Sequence, residues 1–221
     1  MISMLLSEAA KTLGSSLTGK DVVFSGCSTD SRTIEEGNLF IALKGEYFDG
    51  HQYISVAEKN GASSLIVDSE VVHTKPFIRV EDTRKAMGLL AKSWREKITI
   101  PLIAITGSNG KTTVKEMVTS ILSTVSNVHA TSGNLNNDIG VPKTLFGLNK
   151  KHNYAVIEMG ANHLGEIEWL SKISSPNIAV ITQCAPAHLE GFKNVESIAK
   201  AKAEIFSGLQ TSGTAIINTD D

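Results

Sequence analysis

Lys111, Thr112 and Thr113 stand directly behind a glycine in the stretch PLIAITGSNGKTTVKEM, residues 101–117. These residue types suit the binding of anionic oxygens. Gly107 and Gly110 can adopt positive φ and let a ligand approach the backbone, and amides at the start of the following helix point at phosphate oxygens. Lys111 adds a point charge, and the Thr112 hydroxyl suits a magnesium ion. Thr106, Gly107, Ser108, Asn109, Gly110, Lys111, Thr112 and Thr113 together form a candidate phosphate cradle. The general spelling GxxxxGK[ST] is not met, because Ile105 stands five positions before Gly110, so the stretch is a shorter GxxGKT variant. The plain alternative is a glycine turn with a solvated lysine.

Four further places could join this chemistry. In SGNLNNDIGVPKTL, Asn134, Asn136, Asn137 and Asp138 crowd one loop. They could line a polar cleft or cap a turn, since Asn and Asp bond their own backbone. Glu158 ends the run YAVIEMG and could reach a magnesium ion held by Thr112, or be a solvated acid at a strand end. His188, in TQCAPAHLEGF, is a candidate metal ligand or hydrogen-bond partner, with a structural role as the alternative. Lys202 lies on the apolar stripe Val195, Ile198, Ala199, Ile205, Phe206, Leu209. Snorkelling would keep its charge in water. Burial would lower its pKa and leave a neutral amine open to carbamylation by carbon dioxide.

Placing these residues together requires a regular scaffold, and the second half of the chain has that rhythm. The apolar runs LIAIT, NVHAT, YAVIEM, NIAVIT and TAIIN alternate with helical patterns beginning near Gly110, Gly140, Leu164 and Val195. Such alternation builds a parallel sheet covered on both faces, with ligands beyond the carboxyl ends of the strands. In the helix after Gly110, the spacing puts Val114, Met117, Val118, Ile121 and Leu122 on one face. Earlier, DVVFSG, NLFIAL, SSLIVD and PFIRV read as strands and YISVAEKNGA as a short helix. EDTRKAMGLLAKSWREK then forms a helix with Ala86, Leu89, Leu90 and Trp94 on one face. The expected fold class is α/β, with a small unit over residues 1–98 and a mostly parallel-sheet unit over 99–221.

Composition narrows the setting. The chain has 221 residues, 41% hydrophobic and 20% charged, enough to bury one large core or two modest ones. A net charge of -2 gives no general attraction for nucleic acid, so any phosphate recognition must be local. Cys27 and Cys184 belong to no metal-binding or disulfide pattern, and the N-terminus MISMLLSEAAKTLG has no leader pattern. No segment is long enough to span a membrane. A reduced, cytoplasmic setting is expected.

Taken together, TGSNGKTT, GNLNNDIGVP, IEMGANHLGEI, APAHLEGF and AKAEIFSGL resemble the Mur ligase family of peptidoglycan synthesis. NLNNDIGVP and IEMGANHLGEI resemble the branch that joins D-alanyl-D-alanine to UDP-N-acetylmuramoyl-tripeptide, and these two compounds are the implied partners of a monomeric enzyme. STDSRTIEEGNLFIALKGEYFDGHQYI is similar to the family's UDP-sugar segment. The resemblance implies a substrate domain followed by a P-loop ATPase domain. It implies ATP and Mg2+ as cofactors, with Lys111 on the β- and γ-phosphates, Thr112 and Glu158 on magnesium, and His188 with carbamylated Lys202 on a second magnesium. Asn136 and Asn137 would line the phosphate side, and Ser31, Arg32, Lys44, Asp49 and His51 the UDP-sugar side. It covers about the first half of a typical member, so an incomplete central domain, an absent C-terminal ligase domain and negligible turnover by this chain are expected. The competing readings are a P-loop kinase and a nucleotide-sugar binding module without turnover.

Overall fold

The computed structural model describes residues 1–70, 72–185 and 195–220, apart from the side chain of Val195. The chain forms two compact units, Met1–Ser93 and Trp94–Asp221. Both are α/β.

The first unit runs β1 (Ser3–Leu5), α1 (Leu6–Thr12), β2 (Leu17–Thr18), β3 (Val23–Ser25), β4 (Cys27–Ser28), β5 (Leu39–Ile41), α2 (Ile54–Lys59), β6 (Ser64–Val67), β7 (Phe77–Arg79) and α3 (Thr83–Glu96). The sheet order is β2-β7-β6-β5-β4, parallel except where β2 meets β7. The central strands β5 and β6 are buried throughout, as their unbroken apolar runs require when both faces are covered. Phe40, Leu65 and Val67 pack with Ile54 and Ala57 of α2. The pairing of β1 with β3 and the two-residue strands β2 and β4 go beyond the sequence reading, because such short segments carry no readable alternation. The division at Ser93 falls within the last turn of α3, whereas the sequence reading placed the boundary at 98.

The second unit runs β8 (Leu102–Thr106), α4 (Lys111–Ser123), β9 (Val128–Ala130), α5 (Gly140–Phe146), β10 (Tyr154–Glu158), α6 (Glu166–Ser174), β11 (Ile178–Ile181), α7 (Val195–Ala203) and β12 (Thr214–Ile217). All five strands are parallel, in the order β12-β11-β8-β10-β9. The chain therefore passes from β8 to β9 and β10 on one side and then crosses to β11 on the other. That reversal beside β8 is where α/β sheets bind ligands, beyond the strands' carboxyl ends.

Helix α4 packs Val114, Val118 and Leu122 onto Ile103, Ile105 and Val156. The wider apolar face expected from spacing is not what is buried. Met117 is 61% and Ile121 67% exposed, while Lys115 is 1% exposed. The helix is turned toward Lys115, because the carbonyl of Thr131 awaits that side chain at 3.0 Å. After α7, a 3-10 turn at Glu204–Gly208 packs closely on α6. A Cβ at Gly208 would lie 2.2 Å from the Ser171 backbone, so this approach requires glycine.

His129 on β9 and His152 before β10 stack with ring centroids 4.8 Å apart. His129 Nε2 lies 2.7 Å from the Thr144 carbonyl oxygen, so in the neutral ring the proton sits on Nε2. Burial pushes the pKa of His129 down; burial and then the neighbouring His129 do the same for His152. A histidine depressed in the fold is neutral there while the unfolded chain, near an ordinary value of about 6.5, takes up protons. The contribution is intact above that value and is lost as pH falls below it. The urea midpoint is expected to be lower at pH 5.5 than at pH 7.5, with a smaller drop in His152→Gln. Equal drops in the two proteins would show that the pair does not control acid stability.

Candidate functional site

The carboxyl ends of β8, β10 and β11 converge on one place. Strand β8 is buried along its length and delivers the chain into the turn at Gly107 with φ 149°. A Cβ at Gly107 would stand 2.0 Å from Thr182 Oγ1, so only glycine fits between the loop and the end of β11. The loop is tied down on that side: Ser108 N donates to the Gln183 carbonyl at 2.7 Å and Thr182 Oγ1 donates to the Asn109 carbonyl at 2.6 Å. Gly110, with φ 76°, precedes α4 as its N-cap, a position where its lack of a side chain leaves the helix amides accessible. Lys111 Nζ donates to the carbonyls of Gly107 at 2.8 Å and Ser108 at 3.3 Å, folding back over the loop. Burial lowers the Lys111 pKa, and Glu158 opposes that shift.

Glu158 is the centre of the arrangement. It is 2% exposed, yet both carboxylate oxygens are occupied: Thr112 Oγ1 donates to Oε2 and Asn136 Nδ2 donates to Oε1, each at 2.8 Å. Burying a carboxylate is costly unless it is hydrogen-bonded, and these two donors meet that requirement. Asn136 is placed by its own backbone, whose carbonyl accepts from Gly160 N at 2.8 Å. Asn137 does two things. It lines the cleft, and its Oδ1 accepts from Gly140 N at 2.8 Å, capping the turn into α5. Cleft lining and turn capping thus meet in the one residue Asn137.

A cleft of about 350 Å³ opens over this cluster, lined by Lys111, Asn136, Asp138, Glu166 and Lys202 among others. Lys202 is 3% exposed, so snorkelling does not keep it in water. Burial first, then Lys111, lowers its pKa, opposed by Cys184, Glu204 and Glu166. His188 lies outside the described residues. The cleft thus gathers Lys111 at the end of the glycine loop, the asparagine loop, the acids Asp138 and Glu166, and Lys202 from separate segments of the chain. Hard oxygen donors from Thr112 and Glu158, 2.8 Å apart, fit a magnesium ion.

Residues 105–221, more than half of the chain, match the family described as Mur ligase middle domain. The chain belongs to the Mur ligase family. Residues 23–95 match a second description, Mur ligase family, catalytic domain. The UDP-N-acetylmuramoyl-tripeptide--D-alanyl-D-alanine ligase of Escherichia coli (strain K12) is 47% identical over 221 residues, covering 100% of this chain and 49% of that protein. The ligase of the same name from Bacillus subtilis (strain 168) is 40% identical, covering 91% of this chain and 45% of that protein. Among solved structures, MurF from Acinetobacter baumannii superposes with a TM-score of 0.91 at 40% identity, covering 96% of this chain and 48% of that one. MurF ligase from Thermotoga maritima in complex with ADP gives 0.84 at 33% identity, covering 89% and 46%. The chain spans about half the length of these Mur ligases.

In the first unit, the residues matched to the family's UDP-sugar segment form local groups. Ser31 is buried and its carbonyl accepts from Asn60 Nδ2 at 2.8 Å. Arg32 projects outward and is held in a fork by Asp30, with NH2 to Oδ2 at 2.7 Å. Lys44 is exposed and pairs through its backbone with Asp49. His51 is interior: Nδ1 donates to Asp49 Oδ1 at 2.6 Å and Nε2 accepts from the Asp68 amide at 3.2 Å. Its ring ties the loop to the end of β6, leaving Arg32 and Lys44 as the side chains that face solvent.

Sequence reasoning missed Glu166 and Glu204. Glu166 accepts from the amide of Asn162 at 2.7 Å, and Glu204 accepts from Gly165 N at 2.7 Å and Glu168 N at 3.2 Å, holding the start of α6. Glu166 sits in IEMGANHLGEI, but an acid at a helix start is too common a signal to single out. The site predicts its own weak point. Asn136→Ala leaves one oxygen of a buried carboxylate without its donor and should cost about 1–3 kcal/mol, read from the urea midpoint. A change within about 0.5 kcal/mol would mean that the Glu158 carboxylate does not depend on this bond.

Proposed function

We propose that this chain carries the substrate-activating part of an ATP-dependent amide ligase that joins D-alanyl-D-alanine to UDP-N-acetylmuramoyl-tripeptide in peptidoglycan precursor synthesis. The observation that carries the reading is a cleft that joins Lys111 and Asn136 to the buried Lys202, with Asn136 bonded in turn to the Glu158 carboxylate that also holds Thr112. The reaction is taken from the UDP-N-acetylmuramoyl-tripeptide--D-alanyl-D-alanine ligase of Escherichia coli, which is similar along the whole of this chain. Residues 1–98 serve the UDP-sugar, with Arg32 and Lys44 toward the diphosphate or carboxylates and Ser31, Asp49 and His51 shaping the site. Residues 99–221 serve ATP. The enzyme acts as a cytoplasmic monomer, where ATP and the nucleotide precursor are found.

In this mechanism, an oxygen of the tripeptide's terminal carboxylate attacks the γ-phosphorus of ATP, and the bond to the β-phosphate oxygen breaks to release ADP. The amine of D-alanyl-D-alanine then attacks the acyl carbon, phosphate leaves, and the amine proton passes to base. These steps gather negative charge, so cations and donors must be placed beforehand. Lys111 moves from the loop carbonyls to the β- and γ-phosphates, while the loop amides and the start of α4 hold their oxygens. Thr112 and Glu158 would hold magnesium, which supplies charge neutralisation when bound. His188 and Lys202, the latter as a carbamate, would hold a second ion near the acyl group. Asn136 keeps Glu158 oriented, and Asn137 fixes the loop beside it.

The test is calorimetry of the chain with ADP and magnesium and with the UDP-tripeptide, followed by phosphate release from ATP with and without D-alanyl-D-alanine. Lys111→Ala should weaken nucleotide binding by about 1.5–3 kcal/mol, roughly tenfold or more. Release dependent on both substrates supports the ligase in this chain itself. Binding of both nucleotides without release supports a binding portion whose turnover needs further chain. Release independent of D-alanyl-D-alanine favours a kinase or nucleotidase, and no binding of either nucleotide overturns the reading.

A further inference from the structure

Lys115 shares a helix with the phosphate loop, yet none of the roles above uses it. It is 1% exposed, on the face of α4 where an apolar side chain would ordinarily sit. Its Nζ donates to the Thr131 carbonyl at 3.0 Å and pairs with the carboxylate of Glu116, whose side chain is 64% exposed. An exposed partner returns little for burying an ammonium, so the interior contact is what the burial secures. Thr131 is itself 2% exposed and stands immediately after β9. Its amide donates to the Val156 carbonyl at 3.0 Å, and its hydroxyl accepts from the Glu158 amide at 2.9 Å. A chain of contacts therefore runs from Lys115 through Thr131 to the backbone of Glu158. The carboxylate of that residue holds Thr112, one turn before Lys115 on the same helix, and Asn136, from the loop that follows Thr131.

We propose that Lys115 is a positioning residue for this acid. Its ammonium clamps Thr131 to α4, and Thr131 in turn fixes the strand end from which Glu158 meets Thr112 and Asn136. The ring closes on itself: helix, β9 loop and β10 are each tied to the other two. The consequence for magnesium and phosphate rests on the nucleotide reading given above, whereas the clamp is a property of the ligand-free chain.

The deciding experiment is amide hydrogen exchange in the free chain. Lys115→Met keeps the stem and loses the ammonium. Exchange at Glu158 is expected to quicken by at least about tenfold more than at Ala104 in the middle of β8, because the opening is local. Thr131→Val removes only the hydroxyl link and should loosen Glu158 similarly. Glu116→Gln should leave Glu158 protection unchanged, and Lys115→Arg should restore it in part. In ADP titrations, Lys115→Met should reduce the affinity gained from magnesium by about tenfold while binding without magnesium changes less than about threefold. Uniform quickening at Glu158 and Ala104 would mark Lys115 as merely structural and overturn the proposal. So would unchanged Glu158 exchange in either Lys115→Met or Thr131→Val. Should Lys115→Met fail to fold, Lys115→Gln and Thr131→Val carry the same comparison. If the wild-type chain shows no magnesium-dependent ADP binding, the nucleotide reading fails, and the exchange comparison still decides the clamp.

Discussion

The second unit is organised around one buried carboxylate. Glu158 is almost wholly removed from water at the end of β10, a position that is unfavourable without strong donors. Thr112 comes from the helix after the phosphate loop and Asn136 from the loop after β9, so satisfying one acid draws three segments into register. A carboxylate with two fixed donors is also a prepared ligand, since a metal ion can take over its oxygens without rebuilding the backbone. One acid thus serves several segments at once. That economy explains why the phosphate loop is rigidly placed: Gly107 is pressed against Thr182 on one side, and Thr112 is held by Glu158 on the other.

Two lysines are buried in this unit for different reasons. Lys115 lies within α4's packed face and is answered by a backbone carbonyl. Lys202 lines the cleft itself, and burial lowers its pKa. A buried ammonium against a carbonyl is a fixed strut. Helix position alone does not separate the two, because both fall where periodicity asks for an apolar residue.

Much of the architecture was legible in the sequence. LIAIT, YAVIEM and NIAVIT are unbroken apolar runs followed by helical patterns, and a chain that alternates in this way has few choices other than a parallel sheet with helices on its faces. The strand ends then bring the glycine loop and Glu158 to one edge. The first unit was less readable at its margins, where β2 and β4 are two residues each and show no period. Of the candidate site, the glycine loop, the asparagine loop and Glu158 are singled out by residue type, and the structure brings them together. Glu204 did not, since its capping of α6 depends on a segment that arrives 36 residues or more later in the chain.

Residue order by itself determined the kinds of element, their sequence along the chain and the chemistry of the loops, because periodicity and glycine placement act over a few neighbouring residues. Tertiary structure decided the orientation of α4, burying Lys115 and leaving Met117 and Ile121 in water, because the partner of Lys115 is the carbonyl of Thr131, just after β9. It likewise decided that the two oxygens of Glu158 are shared between Thr112 and Asn136. Local hydrophobic spacing cannot encode which distant polar group will be waiting, and the cost of an unsatisfied buried charge makes that distant group decisive.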